Sequence, residues 1–324
     1  MHTEPMKNFD VFNGDADGIC ALLQLRQAVP LDAELVTGVK RDIQLLDRID
    51  SEGAGRITVL DVSLDKNRQP LEALLKAGAH IFYCDHHFAG EIPEHPNLET
   101  LINTAPDVCT SLLVNGHLRG AYAHWAVVGA FGDNLDESAR AVARTLGLDS
   151  DTVDLYKRLG TYLNYNGYGA ALGDLHFHPA ELYQLMRSYS EPRVFVTDAV
   201  SSFEKLEQGY EGDMGSAADL LPEWESDTAA LFVLPDAPWA RRVSGVYGNA
   251  LANATPGRAH AVLTQKSNGG YLVSVRAPLS DKRDADTLCR QFETGGGRAA
   301  AAGINELPGD QLSTFIDAFS AIYP

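Results

Sequence analysis

Apolar and polar positions alternate in a regular order along the N-terminal part of the chain. Residues 9–12 form a short apolar run, which Asn13-Gly14-Asp15-Ala16-Asp17-Gly18 breaks. Ile19, Leu22, Leu23 and Leu25 follow at helical spacing. Strands are predicted at 34–37, 57–60 and 80–84, an amphipathic segment at 42–49, and a helix at 71–77 closed by Gly78. Strands alternating with helices imply a parallel sheet with helices on its faces. From about 122 to 187 the pattern is helical, with apolar stretches at 126–131, 139–146 and 153–159. Strands return at 230–234, 259–263 and 271–276, with helices near 284–292 and 310–321. The Gly- and Asp-rich run 208–215 reads as a linker.

Length and charge sharpen this division. The chain has 324 residues, beyond the roughly 250 at which single cores tend to split. From Thr228 onward it carries nine Lys+Arg and eight Asp+Glu, whereas the first 227 residues carry 17 and 36. An acidic part suited to cations thus precedes a near-neutral part suited to an anion. The total of -18 argues against holding long nucleic acid through its phosphates. No apolar run approaches the ~20 residues of a membrane helix. No secretory signal is visible, and four Cys without a CxxC pair fit free thiols, so a cytoplasmic location is expected.

The candidate chemistry lies at strand ends. Asp15 and Asp17 follow the first strand, Asp61 ends another, and Asp85-His86-His87 ends a third. In an open parallel sheet these ends share one edge, where ligands bind. Taken singly, each piece has a plain alternative: Asp-x-Asp as turn chemistry, Asp61 as a helix N-cap, the His pair as surface or core. Together they make a costly gathering of carboxylates, since two like charges about 4 Å apart repel by ~4 kcal/mol at an effective dielectric of 20. Cations would offset this, and Asp oxygens with imidazole suit Mn²⁺ or Mg²⁺. Gly295-Gly296-Gly297 beside Arg298 reads as a flexible hairpin or, with the guanidinium, as a phosphate or nucleotide cradle, with the following alanines (299–302) letting a helix approach closely. Lys40-Arg41 fits a solvated helix start better than a phosphate contact. His176-Phe177-His178 near Asp174 has metal-like spacing but fits a surface loop better.

Asn13-Gly14-Asp15-Ala16-Asp17-Gly18, Asp61-Val62-Ser63, Asp85-His86-His87 and Gly132-Asp133-Asn134, in this order, resemble the four motifs of the DHH phosphoesterases. Gly295-Gly296-Gly297-Arg298 with the alanines to Gly303 resembles the glycine-rich motif of the associated DHHA1 domain, and Arg276 sits where that domain often has a strand Arg. The resemblance implies a parallel α/β DHH catalytic domain with a helical extension (1–190), a connector (191–227) and a smaller α/β DHHA1 substrate-binding domain (228–324), with the active site in a cleft between them. It implies two divalent ions, most simply Mn²⁺ with Mg²⁺ as the second option. Asp15 would bind the first ion, Asp17 the second and Asp61 both. His86 and Asp133 would complete the ligands of the second ion, and Asp85 would orient the His pair. His87, Arg276, the three glycines and Arg298 would face substrate.

Three positions depart from the family pattern. Val11 stands where many members have His, and Asn13 where the exonuclease-like branch has Asp. Asn13 offers only a carbonyl oxygen, so it is a weak ligand at best. Arg298 stands where the glycine-rich motif usually has His, and its planar fork suits phosphate or a guanine edge. The implied reaction is metal-dependent phosphodiester hydrolysis of a short nucleotide, with the motif spelling closest to members that cleave linear pGpG to GMP in cyclic di-GMP turnover. Alternatives within the family are a nanoRNase, a cyclic dinucleotide phosphodiesterase and a nucleotide 3′-phosphatase; outside catalysis, a nucleotide-binding module and an assembly protein with structural metal. A homodimer is compatible with this picture.

Overall fold

Five short runs form one wholly parallel sheet in the computed structural model, which describes residues 6–324. These are β1 (Lys7–Phe12), β2 (Glu34–Val36), β3 (Ala54–Leu60), β4 (His80–Asp85) and β5 (Leu98–Ile102), in the spatial order β2-β1-β3-β4-β5. The strands expected at 9–12, 34–37, 57–60 and 80–84 are all present. β5 escapes the hydrophobic pattern because it is a half-buried edge strand of mixed residues. The segment 42–49 is not a helix: its regular part is the single turn Leu46–Arg48. Its amphipathic pattern arises because Leu45, Leu46 and Ile49 drop into the core.

Register decides where the strand ends fall. Phe12 pairs with Leu60, and Leu60 with Cys84. Asn13, Asp61 and Asp85 therefore leave the sheet at one level. The order also makes β1/β3 the point where connections diverge to opposite sides, the usual ligand position in such sheets. Alternate residues Phe9, Val11, Ile57, Val59, Ile81 and Tyr83 line one face and bury against Leu71, Leu74 and Leu75 of the helix Arg68–Lys76. Val11 is thus a core residue, fully buried.

Three helices position the remaining site residues: α1 (Ala16–Ala28), α2 (Ala123–Gly132) and α3 (Ser150–Gly167). α2 is apolar on every side, which suits a helix enclosed by others. Glycines let the three backbones approach. A Cβ on Gly132 would lie 2.3 Å from Ala16 Cβ and 2.9 Å from the Gly160 carbonyl oxygen. A Cβ on Gly160 would lie 2.3 Å from the Val128 carbonyl oxygen. This contact holds Asp133, at the end of α2, beside the start of α1.

The chain divides into two compact units, Met1–Glu207 and Gln208–Pro324. The division falls inside one helix, Val200–Ala218, so the run 208–215 is not a linker loop. Glycine weakens a helix by about 1 kcal/mol per residue but does not break it as proline does. Phe203, Leu206 and Ala217 bury one side of this helix, and Asp213 pairs with Arg242 at 2.7 Å. The rest of the expected connector is also ordered, as the helix Pro192–Asp198 and the first strand of the second sheet.

The second unit has a six-stranded sheet of β6 (Trp224–Glu225), β7 (Ala229–Leu234), β8 (Ala259–Gln265), β9 (Tyr271–Arg276), β10 (Gly295–Arg298) and β11 (Ala301–Leu307), in the order β10-β11-β9-β8-β7-β6. Only β7 and β8 are parallel, joined through the helix Pro238–Ala254. Phe292, Phe315 and Phe319 pack with Val273, Val275 and Leu288 as its core. The glycine run is a strand rather than a loop, and the short helix Ala285–Cys289 approaches it closely, its start bonded through Ala285 N–H to the Ala299 carbonyl. Gly295 to Arg298 pair with Ile304 to Ala301 as an edge hairpin, and Ala299-Ala300 make its turn. Among the described residues no helix is long and apolar enough to cross a membrane.

Enlarging Gly160 should test the helix contact. Gly160→Val is expected to lower unfolding free energy by about 1–3 kcal/mol in denaturant titrations, because backbone rather than a flexible side chain blocks the new carbons.

Candidate metal centre

The turn after β1 places Asp15 at the N-cap of α1. Its Oδ1 accepts from the N–H groups of Asp17 (3.0 Å) and Gly18 (3.1 Å). Two residues on, Asp17 reaches another helix start: Oδ2 accepts from Thr110 N and Oδ1 from Ser111 N, both at 2.7 Å. Asp17 therefore caps the helix Thr110–His117, whose own N-cap residue Cys109 supplies no side-chain bond. Thr110 also donates its hydroxyl to Asp61 Oδ1 at 3.3 Å, linking the two carboxylates. Both Asp15 and Asp17 gain from helix N-terminal partial charge.

Asp61 leaves β3 with φ at +58°, a left-handed conformation that Asp tolerates better than most side chains. Burial and the charges of Asp15 and Asp17 push its carboxyl well above the usual range, with only partial relief from His87. Asp85, fully buried at the end of β4, accepts from His87 Nδ1 at 2.8 Å, and its Oδ2 has no partner among the described residues. His86 donates Nδ1–H to the Val108 carbonyl at 3.0 Å. That bond turns Nε2 towards Asp61 Oδ1 at 3.4 Å and Asp133 Oδ2 at 3.9 Å. In the neutral ring the Nε2 lone pair faces two carboxylates, a repulsive arrangement that a bound cation or a proton relieves. Burial raises the Asp133 carboxyl, and the Lys40 charge opposes this.

His87 is different. Its side chain is 46% exposed, and the bond to Asp85 leaves Nε2 on the open side. Burial disfavours its charge, but the Asp85 bond and the Asp61 charge outweigh this and raise its pKa above the ordinary imidazole value. The thiols of Cys20, Cys84 and Cys109 lie buried, and burial with the nearby Asp charges pushes the pKa of all three up.

Lys40 is the residue that pattern reasoning missed. It is no solvated helix start: its Nζ bonds Asp15 Oδ2 at 2.5 Å and Asn164 Oδ1 at 2.9 Å, and lies 3.9 Å from Asp133 Oδ1. Burial opposes its charge, but Asp15, Tyr168 and Asp133 hold its pKa well above the usual value. For Asp15 likewise, burial would raise the carboxyl, and Lys40 with the Gly18 N–H brings it below the ordinary range. The one sequence signal was position, a lysine four residues past the end of β2. Asn164 and Thr110 gave none.

The structure thus gathers Asp15, Asp17, Asp61, Asp85, His86, His87 and Asp133. Asn13 lies beside them, donating Nδ2 to the Lys40 carbonyl at 3.1 Å, with Oδ1 buried and unbonded among the described residues. The other His pair belongs to no metal-type cluster among the described residues: His176 bonds the Tyr165 hydroxyl and His178 accepts from Ala180 N. In the second unit, Arg276 is tied to its own scaffold: Nε donates to Asn249 Oδ1 at 2.7 Å and Nη1 to Ser274 Oγ at 3.2 Å. The Arg298 side chain is exposed and makes no hydrogen bond or ion pair among the described residues. Gly295 and Gly297 are required sterically, since added Cβ atoms would meet Cys289 O at 1.7 Å and Ala302 Cα at 2.5 Å. Gly296 has open space around it.

Asp61 Oδ1, His86 Nε2 and a His87 nitrogen lie within 4.8 Å of one another, and this donor set fits a divalent ion of the Mn²⁺ or Mg²⁺ kind. No protein-family model matches the sequence, and no curated protein does. Solved structures do match. Exonuclease RecJ bound to manganese aligns with a TM-score of 0.64 and 18% identity over 98% of this chain and 90% of that one. RecJ from Thermus thermophilus in complex with Mn²⁺ aligns at 0.68 and 18%, over 98% of this chain and 52% of its own. The pGpG-specific phosphodiesterase PggH from Vibrio cholerae aligns at 0.53 and 12%, over 98% of both chains. The chain therefore has the DHH–DHHA1 fold.

Asp61 gives a pH test. Its folded pKa is raised, so its contribution to stability is full below the ordinary carboxylate range and is lost as pH rises through the raised value. In chelator, Asp61→Asn should melt above the wild type at neutral pH, and the gap should close in acid. With saturating Mn²⁺ the order should reverse.

Proposed function

We propose that this chain is a divalent-metal-dependent phosphodiesterase that hydrolyses short nucleotides to 5′-mononucleotides, with linear pGpG to GMP as the leading reaction. One observation carries the proposal: a buried imidazole is held through Nδ1 so that Nε2 meets Asp61 and Asp133. Imidazoles are held in this way when they serve a cation. The shared fold supports it, since RecJ is an exonuclease solved with manganese and PggH is a pGpG-specific phosphodiesterase.

Asp61, His86 and Asp133 would hold an ion, with Asp17 beside them. Such an ion supplies Lewis acidity towards a phosphoryl oxygen and activates water. Asp85 orients His87 through Nδ1, and the Asp85 bond with the Asp61 charge favours its protonated form; His87 would face the phosphate from the open side. Arg298, unpaired and exposed, would bind a phosphate or a guanine edge. The acidity of the first 227 residues favours a short substrate over a long strand.

Product chromatography on pGpG, pApA, cyclic dinucleotides, mixed nanoRNA and nucleotide 3′-phosphates, each with Mn²⁺, separates the members of this class. GMP from pGpG well ahead of the rest is expected, and equal rates on all would remove the guanine preference. Asp61→Asn should lower kcat by about 10²–10³-fold or more. Arg298→Ala should raise KM by roughly 10-fold with little change in kcat, as loss of a charged hydrogen bond made equally in ground and transition states. Absence of metal-dependent turnover on every substrate would leave a nucleotide-binding module.

A further inference from the structure

Two ions are what the family resemblance implies, yet the position of the first is filled by protein. Asp15, its expected ligand, has no free oxygen. Oδ1 accepts two backbone N–H groups, and Oδ2 is bonded to Lys40 Nζ at 2.5 Å. Val11 is buried among apolar side chains and donates nothing. Asn13 Oδ1 remains, a neutral carbonyl. Any ion taking Asp15 as a ligand would have to displace an ammonium or lie against it.

Lys40 is built into this place. Its main-chain N–H donates to the Gly167 carbonyl at 2.8 Å, and its own carbonyl accepts from Asn13 Nδ2 at 3.1 Å. Its Nζ, with three donors, meets Asp15 and Asn164 and lies close to Asp133, with the Tyr168 ring 5.4 Å away. Asp133 divides its oxygens: Oδ1 faces Lys40 and Oδ2 faces His86, both at 3.9 Å. The same carboxylate therefore serves the lysine on one side and the imidazole on the other.

We infer that the Lys40 ammonium takes the place of one divalent ion, so that this chain binds a single ion at Asp61, His86 and Asp133. Resting on the metal-dependent reading above, this assigns charge neutralisation at Asp15 to a fixed side chain. It leaves water activation to one ion, because an ammonium cannot act as a Lewis acid.

Metal counting tests it without relying on turnover. Metal-free protein is dialysed to equilibrium against Mn²⁺, bound metal is measured by mass spectrometry, and coupling between ions by electron paramagnetic resonance. The expected result is one Mn²⁺ per chain with an uncoupled spectrum. Lys40→Met frees Asp15 Oδ2 and should raise the count to two, with exchange coupling. Two ions in the wild type, or one in folded Lys40→Met, would overturn the inference; if that variant does not fold, the wild-type count decides. Two ions together with phosphodiester hydrolysis would sink this inference alone. No Mn²⁺ bound and no hydrolysis would sink the metal-dependent reading and this inference with it.

Discussion

Repulsion among buried carboxylates is the constraint around which the first unit is organised. Asp15, Asp17, Asp61 and Asp85 are each no more than 2% exposed. Gathering such groups is unfavourable unless each finds donors or opposite charge. The fold answers in three ways. Two helix starts present backbone N–H groups to Asp15 and Asp17. Lys40 supplies a fixed charge to Asp15 and Asp133. His87 bonds Asp85 and lies near Asp61. Only partly compensated is Asp61, together with the faces of Asp133 and His86 that meet it. A divalent ion fits that remainder.

The scaffold that creates this problem also fixes its geometry. Parallel register brings three strand ends to one level at the β1/β3 switch point, and glycine contacts between helices set Asp133 at the same edge. Left-handed backbone occurs at Asp61 and at Asn134, next to Asp133. Such conformations cost about 1 kcal/mol or more for a side-chain-bearing residue and persist where packing enforces them. Here they re-aim the chain at Asp61 and beside Asp133, where the gathered carboxylates meet.

The second unit has a different electrostatic character. Most of its arginines are tied down: Arg276 braces β9 against Asn249, Arg242 pairs with Asp213, and Arg258 with Glu225. Arg298 is not, and it ends an edge strand whose glycines fit their neighbours closely except at Gly296. A free guanidinium beside an accessible backbone is suited to an anion, whereas Arg276 is first of all a strut.

Much of this was legible in the chain. Short apolar runs followed by Asp or His mark β1, β3 and β4 and their acidic ends, because strand length and side-chain type are local properties. Val11 and Asn13 depart from the family pattern by identity alone. The sequence could not announce the contacts of Lys40. Lys40 meets Asn164 across 124 positions, and Asp17 meets Ser111 across 94. Such pairings depend on how helices pack over a sheet, which no local pattern encodes. The same holds for the helix through 208–215 and the strand at Gly295–Arg298: glycine permits several conformations, and only burial against distant neighbours selects one.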